Sequence, residues 1–445
     1  MKVKLTLLIP LFLNLVFAHT SFANESTEAL VRKAVSENAR ESTLAIAELR
    51  SQGPAGLEAL RGRYVDEIER HIADPSASAS VEWQRIAAAL DAVSQQKDSY
   101  ISGLYWYTDI REARKASRDS GKPILSLRLL GKLNEEFSCA NSRFFRTVLY
   151  SNADVANTLR EQFILHWQSV RPAPRVTIDF GDGRKLERTV TGNSIHYILD
   201  SQGRPIDALP GLYAPQAFLR GLAEAGQAFK DLQGKDNTQR QNLLATYQRA
   251  QIKKISFDWY TDIAQIGGKP PQGFAVEQDH HGKAIAIAPL AATKMVTEAS
   301  ILRSIIQGAE LLGKITDEPA WTKIALLHLK DAKLDERSIG LIKRQTQGLL
   351  NDTAGGLDPA IRLDNLLQTF QRSIALDTVR NEYMLRTKLF GWLLVDPSRN
   401  DIDKLNEKVY AQLFLTPRSD AWLGLFSPET YTALEHGGVV NNREQ

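Results

Sequence analysis

One stretch of the chain decides how the rest is interpreted: Lys122-Pro-Ile-Leu-Ser-Leu-Arg-Leu-Leu-Gly-Lys-Leu-Asn-Glu-Glu-Phe-Ser-Cys139-Ala-Asn-Ser142-Arg-Phe-Phe145. The apolar run at 124–130 is typical of a buried strand, and the polar residues after it are typical of a short connection. A helix is then expected to begin at Ser138 or Cys139, so that the only cysteine of the chain lies at a helix N-terminus. This thiol is the strongest chemical feature of the sequence.

The elements predicted around this stretch alternate between helix and strand. Asp109 and Glu112 form a capping-box pattern that opens a helix ending near residue 120. Beyond Cys139 the patterns indicate a helix at 152–160, a strand at 163–170, a hairpin at 176–190 that turns at 181–183, strands at 194–200 and 205–209, and a helix at 214–232. This order predicts an α/β domain with a mixed sheet and helices on both faces.

The first 23 residues have the pattern of a secretory signal peptide. Lys2 and Lys4 precede an apolar run that is too short to span a membrane, and Ala23 ends a small-x-small cleavage site. We therefore expect a periplasmic or secreted protein, cleaved near Ala23. No later stretch is long and apolar enough for a transmembrane segment.

Charge and composition exclude one class of partner. The chain has 445 residues, 43% of them hydrophobic and 24% charged, as is ordinary for a globular protein. Removing Lys2 and Lys4 with the signal lowers the formal net charge from +3 to +1. Because no cluster of basic and aromatic residues compensates, we expect no nucleic-acid binding.

The regions outside the α/β pattern are mainly helical. The apolar spacing predicts a helical N-terminal region at 24–103, the α/β domain at 104–232, an irregular linker at 233–290 and a helical C-terminal domain at 291–445. The sequence Trp-Tyr-Thr-Asp-Ile occurs at both 106–110 and 259–263. No strand or thiol recurs around the second copy, and five residues do not establish a repeat.

The region 104–232 resembles the thioredoxin-like superfamily in its order of elements and in two local motifs. Lys122-Pro123 before an apolar strand, with Cys139-x-x-Ser142 at a helix start, looks like the family's redox-helix segment. Gly192-Asn-Ser194-Ile-His-Tyr-Ile-Leu-Asp200 looks like its strand before the final hairpin. The resemblance implies a thioredoxin-like fold in which Cys139 is the nucleophile, with Ser142 and Ser194 beside it. It does not imply a dithiol reductase, because Ser142 replaces the resolving cysteine and Ser194 the cis-proline.

Two functions follow from this site. A helix N-terminus favours a thiolate, and Arg143 and Arg146 add positive charge, so the first hypothesis is a monothiol thiol–disulfide oxidoreductase acting through Cys139. Its substrate would be a protein or a low-molecular-weight disulfide. An external thiol such as glutathione would complete the cycle, because the chain holds no second cysteine. The alternative is a catalytically inactive thioredoxin-like binding or scaffold module of the cell envelope, since Phe137 and Phe144 flank a thiol of a kind that is commonly buried.

A metal site is the third hypothesis, but the sequence does not favour one. His166 and His196 are expected on neighbouring strands and could join Cys139 as ligands, but no short ligand motif supports them. Their ordinary role as core residues is the stronger interpretation. Asp179 and Asp182 flank a glycine turn whose spacing misses the calcium-loop pattern, and His280-His281 lies in a polar loop. We therefore expect neither a metal nor a bound cofactor.

Overall fold

A computed structural model of the chain describes residues 26–75, 79–190, 192–269, 312–350, 358–396 and 400–422, with Ala433. The predicted signal peptide at 1–23 and the pair His280-His281 lie outside the described residues. Within the described ranges, no helix is both long and apolar enough to cross a bilayer.

Short helices make up the N-terminal part of the structure. They are α1 (Thr27–Ala34), α2 (Ala39–Ser51), α3 (Pro54–Arg63), α4 (Val65–Ala73), α5 (Val81–Ser94) and α6 (Ser99–Ser102). Ser26, Asn38 and Ser80 cap three of them by accepting hydrogen bonds from backbone N–H groups of the first turn. The apolar faces of these helices meet in one cluster that includes Leu49 and Leu90.

The α/β part follows in the predicted order. Its elements are α7 (Ile110–Ser120), β1 (Ile124–Leu130), α8 (Ala140–Phe144), a π-helical turn (Phe145–Leu149), α9 (Ala153–Gln162), β2 (Ile164–Arg171), β3 (Arg175–Asp179), β4 (Lys185–Thr189), β5 (Ser194–Leu199), β6 (Pro205–Pro210) and α10 (Pro215–Asp231). Asp109 caps α7 as predicted, and Gly121 ends that helix at a φ of +71°.

The main sheet is mixed, as the sequence predicts. Its strand order is β2-β1-β5-β6, with β1 and β2 parallel and the other neighbours antiparallel. Every residue of β1, β5 and β6 is buried. Because successive side chains of a strand point to opposite faces, both faces of this sheet are covered by other elements.

The prediction of an irregular region at 233–290 is wrong for its first half. Residues Asn237–Gln265 form a single helix of 29 residues, α11, which starts at a capping box made by Asp236 and Gln239. The apolar period is hard to recognise because polar residues such as Gln248 and Asp262 share the buried face with Ile252. The second Trp-Tyr-Thr-Asp-Ile lies inside this helix, whereas the first leads into α7.

Further helices pack against the α/β part. They are α12 (Glu318–Leu327), a 3-10 turn (Leu329–Ala332), α13 (Glu336–Leu350), α14 (Pro359–Arg380), a π-helical turn (Asn381–Arg386), α15 (Thr387–Val395) and α16 (Ile402–Gln412). Except for Leu341, which packs in the N-terminal cluster, their buried apolar residues and most of those of the sheet form one continuous cluster.

A buried ion pair joins β6 to the π-helical turn after α14. Asp207 Oδ2 accepts a hydrogen bond from Arg386 Nη2 at 2.7 Å and another from the Tyr247 hydroxyl. Arg386 Nη1 also donates to Glu382 at 2.8 Å. The Asp207 and Arg386 side chains are 0% and 3% exposed, so neither charge can be compensated by water.

We expect Arg386→Met to lower the free energy of unfolding by about 3 kcal/mol, because it leaves the Asp207 carboxylate buried without its cation. Urea denaturation measures this loss. Arg32→Met is the control, since Arg32 pairs with Glu28 on an exposed helix surface and should contribute less than about 0.5 kcal/mol. Equal losses in the two variants would contradict the prediction.

Candidate functional site

Cys139 lies where the sequence predicts it, at the start of the helix that follows β1. Its backbone N–H donates to the carbonyl of Leu130, the last residue of β1, at 3.1 Å. Its own carbonyl accepts from Arg143 N at 3.2 Å, which makes Cys139 the N-cap of α8. The connection between strand and helix therefore returns the thiol to the carboxyl end of the central strand.

The thiol is completely enclosed. Cys139 is 0% exposed, and its Sγ lies 4.0 Å from the carbonyl oxygen of Asn193. The same oxygen accepts a hydrogen bond from the hydroxyl of Tyr410 in α16 at 3.0 Å. Burial raises the pKa of Tyr410 well above its ordinary value, so this hydroxyl stays protonated as a donor. The C-terminal helix thus contacts the atom that faces the sulfur.

The segment after α16 is held against the same site. Asn193 Nδ2 donates to Thr416 Oγ1 at 3.0 Å. The guanidinium of Arg171, at the end of β2, donates to the carbonyls of Thr416, Pro417 and Asp420 at 2.9–3.3 Å. We refer to residues 410–420 as the C-terminal cover. It is attached to β2 through Arg171 and to Asn193, the residue that precedes β5.

The three residues implied by the resemblance, Cys139, Ser142 and Ser194, lie in one place, but their surroundings differ. Ser142 Oγ lies 2.6 Å from Ser138 Oγ and 2.9 Å from the Cys139 carbonyl, so its hydroxyl is satisfied by its own helical turn. Ser194 directly follows Asn193 and is 0% exposed, and its Oγ has no hydrogen-bond partner among the described residues. No peptide bond in the described ranges is cis.

The positive charges expected near the thiol are used elsewhere. Arg143 Nη2 donates to Thr189 Oγ1 in β4 at 2.8 Å. Arg146 Nη1 donates to the carbonyls of Leu133 and Glu135 in the connection after β1, at 3.3 and 3.0 Å. Arg143 therefore binds a side chain of β4 and Arg146 binds backbone carbonyls, rather than the thiol.

The expectation that His166 and His196 lie on neighbouring strands is wrong. β1 separates β2 from β5, and the two rings lie on opposite faces of the sheet because His166 is paired with Ser126 and His196 with Leu127. His166 Nδ1 lies 2.9 Å from Ser126 Oγ. His196 Nε2 lies 2.6 Å from the Tyr150 hydroxyl. In the part of the chain that is described, no group of three or more His, Cys, Asp or Glu side chains is arranged as metal ligands.

Burial keeps both histidines neutral. It lowers the pKa of His196 to about 3, and burial together with the nearby Arg128 lowers the pKa of His166 to about 3. A neutral ring has one donor nitrogen and one acceptor nitrogen, and a hydroxyl partner suits either. These histidines are core residues at pH 7.

The residues that enclose the thiol were not identified from the sequence. Tyr410 and Asn193 are separated by 217 positions, and Arg171 and Thr416 by 245. Tyr410 follows Leu405 and Val409 on the buried side of α16 and resembles any aromatic core residue. The only local signal in the sequence is the group of large apolar residues near Cys139, which favours burial of the thiol.

Lowering the pH should remove the stabilisation that depends on a neutral His196. Since the folded-state pKa of about 3 is below the ordinary 6.5, this stabilisation is complete above pH 6.5 and declines as the pH falls towards 3. The stability difference between the wild type and His196→Phe should therefore shrink by about 2 kcal/mol from pH 7 to pH 5. Urea denaturation at the two pH values measures it. The lost Tyr150 hydrogen bond affects both measurements equally, so an unchanged difference would refute the prediction.

The chain matches no family model, no curated protein and no solved structure. Its function is therefore inferred from its own residues. The enclosed thiol, the C-terminal cover and the surface around them are the features on which that inference depends.

Proposed function

We propose that this chain is an exported thioredoxin-like protein with a closed thiol site, and that it acts as a binding or scaffold module of the cell envelope. The signal-peptide pattern at 1–23 supports export. Support for the thioredoxin-like part comes from a thiol at the helix start after the central strand, next to the residues that precede β5. The mixed order β2-β1-β5-β6 agrees with it.

The enclosure of Cys139 is the observation that carries the proposal. Thiol–disulfide exchange requires the sulfur to reach a disulfide and attack it, and a sulfur with no exposed surface cannot do so. Reactive thiolates also need donors or cations nearby, whereas the polar atom facing Cys139 is a carbonyl oxygen. Cys139 therefore acts as a small core residue.

The second candidate is monothiol oxidoreductase activity through Cys139. The observation that favours it is that Cys139 caps α8 beside Asn193 and Ser194, which is the arrangement that the resemblance implies for a nucleophile. This activity requires the C-terminal cover to move away from Asn193. An external thiol such as glutathione would then have to release the mixed disulfide.

Thiol labelling with a chromogenic aromatic disulfide distinguishes the two functions. We expect Cys139 of the native protein to react at least about 100-fold more slowly than in urea, because reaction requires local opening. Tyr410→Ala should increase the native rate, since it removes the hydroxyl and the ring that contact the site. A native rate close to the unfolded rate would contradict the closed site.

Tyr383→Ala is the matched control for this labelling. Tyr383 is also a buried tyrosine of the C-terminal helices, but its hydroxyl donates to Asp262 at 2.6 Å. If Tyr410→Ala acts by opening the cover, its labelling rate will exceed that of Tyr383→Ala at equal global stability. Equal rates would mean that general destabilisation exposes the thiol.

A closed site also predicts the response to oxidised glutathione. A free Cys139 thiolate would attack the disulfide, form a protein–glutathione mixed disulfide and release one glutathione thiolate. We expect mass spectrometry to detect this adduct after unfolding in urea but not in the native protein. Native adduct formation that Cys139→Ser abolishes would support the monothiol function instead.

A further inference from the structure

The strands β3 and β4 form a ribbon separate from the main sheet. The ribbon turns at Gly181 and Gly183, whose φ values of +75° and +92° suit glycine. Most of its residues are exposed, and Leu186 and Thr189 are half-buried. A two-stranded hairpin is only marginally stable alone in water, so this ribbon depends on contacts with other groups for its stability.

The two faces of the ribbon differ in polarity. One face carries the cross-strand pairs Val176–Arg188 and Ile178–Leu186, followed by Phe180, whose N–H donates to the Arg184 carbonyl. We call these six residues the apolar ribbon face. The opposite face carries only polar residues: Arg175, Thr177, Asp179, Lys185, Glu187 and Thr189.

The apolar ribbon face is exposed. Val176, Ile178 and Phe180 are 42%, 46% and 55% exposed, and none of them belongs to an apolar cluster of the described residues. Alternating apolar side chains on a strand normally cover a core. Here they form a contiguous stripe facing solvent, which is typical of a surface that binds another polypeptide.

The root of the ribbon is anchored beside the thiol site. Thr189 Oγ1 accepts from Arg143 and donates to the Ser138 carbonyl, which ties β4 to the start of α8. Arg175 stacks over the Phe137 ring at 4.5 Å. The ribbon therefore projects from a fixed base.

The charges on the apolar ribbon face and the free strand edge indicate which kind of polypeptide would bind there. Both charged residues of the apolar ribbon face are arginines. Arg184 is paired with Asp182 of the turn, and Arg188 has no ion pair among the described side chains. Within the described ranges, neither β3 nor β4 has a further strand paired to its outer edge, and β4 is the strand that carries Leu186 and Arg188. Such an edge can accept a further strand through main-chain hydrogen bonds.

We propose that β4 binds an extended segment of another protein with the pattern acidic-x-apolar-x-acidic, in which x is any residue. A strand paired with β4 places every second side chain on the apolar ribbon face, next to Arg184, Leu186 and Arg188. An acidic residue beside Arg188 matches its guanidinium, and one beside Arg184 shares that guanidinium with Asp182 of the turn. The apolar residue matches Leu186. This inference deepens the proposed binding function and rests on it.

Binding of a fluorescein-labelled peptide, Thr-Glu-Thr-Ile-Thr-Glu-Thr, to the full chain tests the proposal by fluorescence anisotropy. Arg188→Glu should weaken binding at least about fivefold, because it replaces an attraction by a repulsion. Lys185→Glu makes the same charge change on the opposite face, where it also breaks the ion pair with Asp179, and should alter binding less than about twofold. A peptide with Lys in place of both Glu should prefer the Arg188→Glu variant.

Three results would overturn the inference. The first is that the wild type does not bind the acidic peptide saturably. The second is that Arg188→Glu and Lys185→Glu lose equal affinity for the peptide. The third is a dimer in sedimentation velocity that Ile178→Thr dissociates, since a second copy would then occupy this face. Circular dichroism confirms that the variants are folded. Slow native labelling of Cys139 without peptide binding would reject this partner while leaving the closed site intact.

Discussion

The arrangement of the site depends on one buried cation in the central strand. Arg128 is in the middle of β1, and its side chain is only 3% exposed. Burial lowers the pKa of Arg128, because the charged guanidinium is removed from water, and a buried charge is costly without partners. It binds Gln168 on β2 and lies 3.1 Å from Asp403 in the first turn of α16. This pairing joins the first turn of α16 to β1, and Tyr410 near the other end of the helix contacts Asn193 beside the thiol.

The closed thiol therefore results from how the C-terminal helices complete the core. Both faces of the sheet are buried, and one apolar cluster extends from β1 to Leu413. Cys139 is part of that cluster, and so are the apolar residues of α14 and α15. Because Tyr410 donates to the carbonyl oxygen that faces the sulfur, separating the C-terminal helices from the sheet would change the surroundings of Cys139. The ribbon of β3 and β4 remains outside this core, and its root lies beside the start of α8.

The sequence predicted the local elements of the α/β part well because their signals are local. Asp109 caps α7, and the glycines at 181–183 turn the hairpin. It failed where structure depends on distant residues. The strands of His166 and His196 were expected to be neighbours, but strand order is decided by pairing across the whole domain. The helix α11 was missed because polar residues share its buried face, among them Arg240 and Asp262, whose partners are distant in sequence. The cover was missed because its contacts span more than 200 positions.

That separation has a consequence for the order of events during folding. Asn193 is synthesised long before Tyr410. Contacts between such distant residues form late, because a long loop must close first. Until α16 docks, Cys139 is a free thiol in a partly assembled domain. If the chain folds in an oxidising compartment, as the proposed export implies, small disulfides would react with the sulfur during this interval. A modified Cys139 would be too large for its place in the core, so the yield of native protein would then depend on the relative rates of docking and oxidation.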